Sequence, residues 1–329
     1  MLRQMKIYYW MLLCVGLMAC NKKSHPSTPE TVEQAIGMLA TSATSTRALI
    51  SDTEALQSEG FIVYGYKQTP KTGTQVFAHQ PVNYDHGWTY APTRYWDIAA
   101  SYYFGAYSPQ HLTAEHSGTD LEAHIVALKA PYWQKIDGNE TDIIVATSQD
   151  EANNYLTLNN GVVDLHFAHI LSQLEVQFVL SPFLMNEYRL HAVGYKNVPI
   201  ANGTATYRLN YTTPSQSAMN VISLSATPVA MLDNTDGIVV AETVQGATTL
   251  KHMVVPFSTN NANGIEIVVE YSVNGIKRTA TAITKFQTLE PGKRYTLRLT
   301  FDSGAEIKPE IYINEWNDEE VDEDDKYNW

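Results

Sequence analysis

Val162-Val163-Asp164-Leu165-His166-Phe167-Ala168-His169, continued after Ile170-Leu171 by Ser172-Gln173-Leu174-Glu175-Val176-Gln177-Phe178-Val179-Leu180, decides the fold. Val163, Leu165 and Phe167 alternate with polar or small neighbours. Leu174, Val176, Phe178 and Leu180 repeat the pattern. A period of two puts one set of side chains on one face of a strand, whereas a helix would need three- and four-residue spacing. The same alternation places His166 on the face opposite Phe167. Upstream, Phe61-Ile62-Val63-Tyr64-Gly65-Tyr66 has the aromatic and β-branched composition of a strand. Leu121 to Leu128 and Thr141 to Ala146 are further short apolar runs. Downstream, Tyr188 to Val198, Leu250 to Phe257, Ile265 to Val273, Arg278 to Ile283 and Tyr295 to Phe301 continue the theme. Turn residues separate them, as in Asn260-Asn261-Ala262-Asn263-Gly264 and Pro291-Gly292. Asn274-Gly275 between apolar residues predicts a two-residue hairpin. Many short strands at this spacing predict an all-β chain built of sandwiches. The asparagine-rich stretch from Asn153 to Gly161 marks an expected boundary near residue 160. Ala35, Ile36, Met38 and Leu39 fit either a helix or a strand.

The N-terminus fixes the expected compartment. Arg3 and Lys6 precede an apolar run from Ile7 to Met18, which ends in Leu17-Met18-Ala19-Cys20. A bilayer-spanning helix needs about 20 apolar residues, so the run is expected to be a signal-peptide core. Small residues before a cysteine suit a lipoprotein signal peptidase, and the Cys20 thiol is then the lipid site. The chain has 2 cysteines, and Cys14 leaves with the signal peptide. The mature part is therefore expected to have no disulfide, no cysteine-ligated metal and no thiol nucleophile. Residues 21–34 read as a flexible tether rich in Lys, Ser, Pro and Thr.

Chemistry is sparse. No G-x-S-x-G, H-E-x-x-H, C-x-x-C, phosphate-binding loop or dinucleotide fingerprint occurs, so no catalytic residue, cofactor or metal is expected. A formal net charge of -13 argues against nucleic acid, which attracts basic surfaces. His111, His116 and His124, with His166 and His169, form only loose groups and are expected to be exposed or hydrogen-bonded sandwich residues. Residues 318–325 carry a run of carboxylates, read as a solvated tail. The segment from Trp88 to Tyr107 is dense in aromatics. Trp88, Tyr95 and Trp96 are candidates for stacking on a sugar ring, against the competing expectation that they fill the core. Arg47-Ala48 follows a polar stretch of small residues and suits a trypsin-like protease.

Four blocks in order resemble the fimbrillin-like (Mfa-like) lipoprotein family. The first is Thr46-Arg47-Ala48 with Gly60 through Tyr66. The second runs from Trp88 through Arg94-Tyr95-Trp96 to Tyr103-Phe104-Gly105-Ala106-Tyr107-Ser108-Pro109. The third is Val163 to Val176. The last is Leu289-Glu290-Pro291-Gly292-Lys293-Arg294-Tyr295 with Ile313-Asn314-Glu315-Trp316. The resemblance implies two transthyretin-like β-sandwich (Greek-key) domains, expected here over residues 48–160 and 161–329, after a signal peptide over 1–20 and a tether or propeptide over 21–47. It implies a type V pilus subunit, made as a precursor lipidated on Cys20 (palmitate) and carried to the outer membrane. An arginine-specific protease then removes the N-terminal segment with its first strand, here between Arg47 and Ala48. The groove left behind takes a strand from a neighbouring subunit.

The implied partners are other fimbrial subunits, the outer membrane through Cys20, and a host or bacterial surface ligand. The donor strand in such pili is C-terminal. Here the residues after Trp316 are acidic, and burying several carboxylates is costly. Donation by Ile307 to Trp316 stays open, as does a tip, anchor or accessory role. The alternative is a surface lipoprotein that binds glycans and never polymerises.

Overall fold

The alternation of the deciding segment survives in three dimensions. In the computed structural model, Val163, Leu165, Phe167 and His169 are buried, while Val162, Asp164, His166 and Ala168 are exposed. The structure describes residues 33–42, 53–68, 73–112, 114–117, 125–130, 133–135, 142–148, 155–158, 161–182, 184–199, 205–210, 218–220, 224–303 and 307–315. Over these the chain is all-β and sandwich-like, with one short α-helix, Thr53–Glu59. No helix among the described residues is long and apolar enough to cross a membrane.

A seven-stranded sheet runs in the order Gly37–Ser42, Val162–His169, Ile144–Thr147, Ser101–Ser108, Phe61–Gln68, Gly73–Tyr84, Trp88–Thr89. Phe61–Tyr66 is buried without interruption because both faces of this sheet are covered. Phe61 and Val63 enter one buried cluster, and Ile62, Tyr64 and Tyr66 enter another. Gly65 permits that packing: a Cβ there would come 2.8 Å from the Phe104 ring and 2.9 Å from Phe77. A five-stranded sheet runs Ile307–Glu315, Lys293–Phe301, Ser172–Leu180, Thr248–Val254, Trp133–Lys135. It packs against a four-stranded sheet of Val229–Val239, Tyr188–Lys196, Glu266–Val273 and Ile276–Ile283, with Leu174, Leu190, Ile267 and Leu297 in the shared core. Ala218–Asn220, Ala205–Asn210, Ile125–Ala130 and Ala114–Ser117 form a further sheet. Asn274 and Gly275 both have positive φ, 48° and 83°, as a type I′ hairpin turn requires.

Val162–His169, which follows the asparagine-rich stretch, lies in the seven-stranded sheet beside strands of the first half. The chain then passes through buried Ile170-Leu171 into the five-stranded sheet. Ile170 and Leu171 share a cluster with Tyr64, Tyr107, Leu209 and Met253, so apolar packing joins the two halves. Beside this crossing, His169 Nδ1 lies 2.8 Å from Asp142 Oδ2, both side chains almost fully buried. Asp142 Oδ1 accepts a hydrogen bond from the Ile143 amide at 2.8 Å.

Candidate functional site: the N-terminal edge strand and its seat

Gly37–Ser42 resolves the ambiguity between helix and strand: it is a strand, at one edge of the seven-stranded sheet. Among the described residues its one strand neighbour in that sheet is Val162–His169, and the pairing is parallel, from Gly37 opposite Val162 to Ser42 opposite Phe167. Ile36, Met38 and Ala40 are 1%, 8% and 2% exposed, and they pack into the core with Phe61, Val63, Phe104 and Leu165. Leu39, between them, is exposed. The period of two is the signal the sequence held. It was obscured by Gly37 and by the mixed sizes of Met38 and Ala40. Burying a side chain the size of Ile36 or Met38 contributes about 1.5–3 kcal/mol.

The residues just before the strand are clamped by the aromatic segment. The Ile36 amide donates to Arg94 O at 2.9 Å, and the Trp96 amide donates to Gln34 O at 2.9 Å. Ala35 and Tyr95 form an antiparallel bridge. The Tyr90 hydroxyl donates to Ile36 O at 2.7 Å and accepts from the Arg94 amide at 3.3 Å. The Tyr90 ring meets Phe77 edge-on at 5.1 Å. Burial, partly offset by Arg94, holds its phenol above the ordinary value of 10.0, so it remains a donor at neutral pH. At the far end, Thr41 Oγ1 and His166 Nδ1 are 2.9 Å apart.

The three aromatic candidates for sugar stacking separate. Trp96 is 6% exposed, sits edge-on to Tyr102 at 4.8 Å and donates its indole N–H to Gly161 O at 3.0 Å. Trp88 is half-buried between Phe61 and Tyr84, at 4.9 and 5.2 Å. Tyr95 is 48% exposed. A ring whose faces are covered by protein cannot stack on a ligand, so Tyr95 is the member with open surface. Among the histidines, His111 is exposed, and His166 is exposed with Asp164 Oδ2 3.4 Å from its Nε2. Among the described residues, no group of three or more His, Cys, Asp or Glu could hold a metal ion. Cys20, Arg47, Ala48, His124 and the acidic run lie outside the described residues, as does the side chain of His116.

The arrangement is an edge strand whose alternate side chains fill an apolar groove. The sequence model of the fimbrillin-like family matches residues 46–316, so the match begins just after this strand. No curated protein matches the chain. Among solved structures, a fimbrial protein of Bacteroides vulgatus is similar with a TM-score of 0.57 and 16% identity, covering 86% of this chain and 99% of that one. The C-terminally truncated tip fimbrial protein Mfa3 of Porphyromonas gingivalis aligns at a TM-score of 0.42 and 11% identity, over 86% of this chain and 100% of that one.

Proposed function

Since the chain belongs to the fimbrillin-like family, whose model covers residues 46–316, we propose that it is a fimbrial or adhesion subunit of the cell surface, assembled by strand exchange. In this reading the precursor is lipidated on Cys20 and carried to the outer membrane. Cleavage between Arg47 and Ala48 frees the segment that contains Gly37–Ser42. A strand from another fimbrial subunit fills the vacated groove. The protein acts by holding and presenting surface rather than by catalysis.

The observation that carries the reading is Gly37–Ser42 itself. It ends five residues before Arg47, plugs the core with Ile36, Met38 and Ala40, and closes one sheet edge. Its loss would expose apolar surface and a row of unpaired backbone groups on Val162–His169. A donated strand satisfies both at once. Head-to-tail donation does not close on itself and so builds filaments. The glycan-binding alternative has less support, because Trp96 is buried.

Protein recovered from its native cell surface is expected to begin at Ala48 and to run as multimers that resist mild heating in detergent. Arg47→Ala is expected to stay at monomer size. Equal multimerisation of the two would overturn cleavage-driven assembly. Palmitate labelling of the precursor is expected to disappear in Cys20→Ser.

A further inference from the structure

The groove beneath Gly37–Ser42 is tapered. In the parallel pairing, residues at one register level lie on one face of the sheet. Met38 stands beside Val163, Ala40 beside Leu165 and Ser42 beside Phe167. All six are buried. Bulk rises along Val162–His169 from Val to Leu to Phe, and drops along the edge strand from Met38 to the small Ala40 and Ser42. The two series compensate, as close packing demands. Ile36, one step earlier, adds a large apolar side chain at the wide end. On the outer face a Cβ at Gly37 would come 2.9 Å from Val162 Cγ1, so that level is narrow as well. A strand that refills the groove therefore needs large, large, small, small at alternate positions.

Residues 307–329 do not supply that pattern. Taking every second residue, the sets of four within residues 307–329 contain a charged side chain in every case but one. The exception is Ile307, Pro309, Ile311 and Ile313, which ends in two isoleucines where the groove is narrowest. A buried carboxylate or ammonium without a partner is costly, and extra methylenes in a packed site force neighbours off their rotamers. Ile307–Glu315 is also committed elsewhere: it pairs along its length with Lys293–Phe301, with Ile307 and Ile311 buried.

Resting on the strand-exchange reading above, we infer that the groove selects a tapered, uncharged strand, and that this strand comes from a different subunit rather than from a second copy of this chain. The protein then joins a filament of mixed subunits and does not polymerise alone.

The test is peptide binding to the chain cleaved after Arg47, with mass spectrometry confirming that the N-terminal fragment has left. A labelled peptide of residues Gln34–Ser42 is expected to bind. The same peptide with Ala40→Leu is expected to bind about tenfold more weakly or worse. A peptide of residues 305–329 is expected not to compete, and the cleaved chain alone is expected to stay monomeric. Competition by 305–329 at concentrations close to those of the Gln34–Ser42 peptide would overturn the mixed-subunit inference. Equal binding of the Ala40→Leu peptide would overturn the taper. Failure of the Gln34–Ser42 peptide itself to bind would instead sink the strand-exchange reading, and the inference with it.

Discussion

Gly37–Ser42 and Ile307–Glu315 are both edge strands, and both plug a large apolar core. They differ in how they are held. Ile307–Glu315 pairs antiparallel with Lys293–Phe301, from which a short connection separates it in sequence. Gly37–Ser42 pairs parallel with a strand more than a hundred residues further on. Parallel pairing is slightly the weaker geometry, and a distant partner must be found at a greater cost in loop entropy. A cut at Arg47 would also leave Gly37–Ser42 joined to the fold by non-covalent contacts alone. An edge strand with a buried face is not by itself exchangeable; on the proposed reading Gly37–Ser42 becomes so because its covalent link is cut and its partner lies far along the chain.

The largest effects are expected from a matched pair of cavities, one under each edge strand. In the intact chain Ile36→Ala and Ile311→Ala should each cost about 2–5 kcal/mol in denaturant unfolding. After cleavage at Arg47, with the fragment free to leave, Ile311→Ala should keep its effect and Ile36→Ala should lose it. A persisting effect of Ile36→Ala would show that the strand stays seated. Overfilling comes next: Ala40→Leu in the intact chain should cost about 1–3 kcal/mol, because Leu165 already fills that level. A neutral result would remove the taper.

Tyr90→Phe should cost about 1 kcal/mol by leaving Ile36 O without its side-chain donor. It should also speed release of the fragment after cleavage while leaving the Ile307–Glu315 side untouched. The Tyr90 phenol gives a pH signature. Its folded value is raised, so its contribution is intact below pH 10.0 and is lost as pH rises through the folded value. Unfolding curves of the parent and Tyr90→Phe should therefore converge in alkali. The smallest effect is expected at Leu39, which is exposed: Leu39→Thr should stay within about 0.5 kcal/mol.

The amino-acid sequence by itself determined the class of the fold. Alternation at Val163, Leu165 and Phe167 is a local property of neighbouring side chains, and the structure keeps it residue for residue. Asn274-Gly275 likewise carries its turn in its own backbone freedom. The ordered family blocks were legible too, because each is a contiguous string.

Tertiary structure decided what no window of sequence contains. Ala35 to Leu39 suit a helix or a strand until Val162–His169 offers a pairing edge and the Phe104 side of the sheet offers a groove. Trp96 and Tyr95 are adjacent in the chain, yet one is buried and the other exposed, because the Ala35–Tyr95 bridge fixes which ring faces inward. The taper from Met38 to Ser42 has meaning only beside Val163, Leu165 and Phe167. Packing is a relation between distant segments, and it is set by where the chain returns rather than by what any one segment prefers.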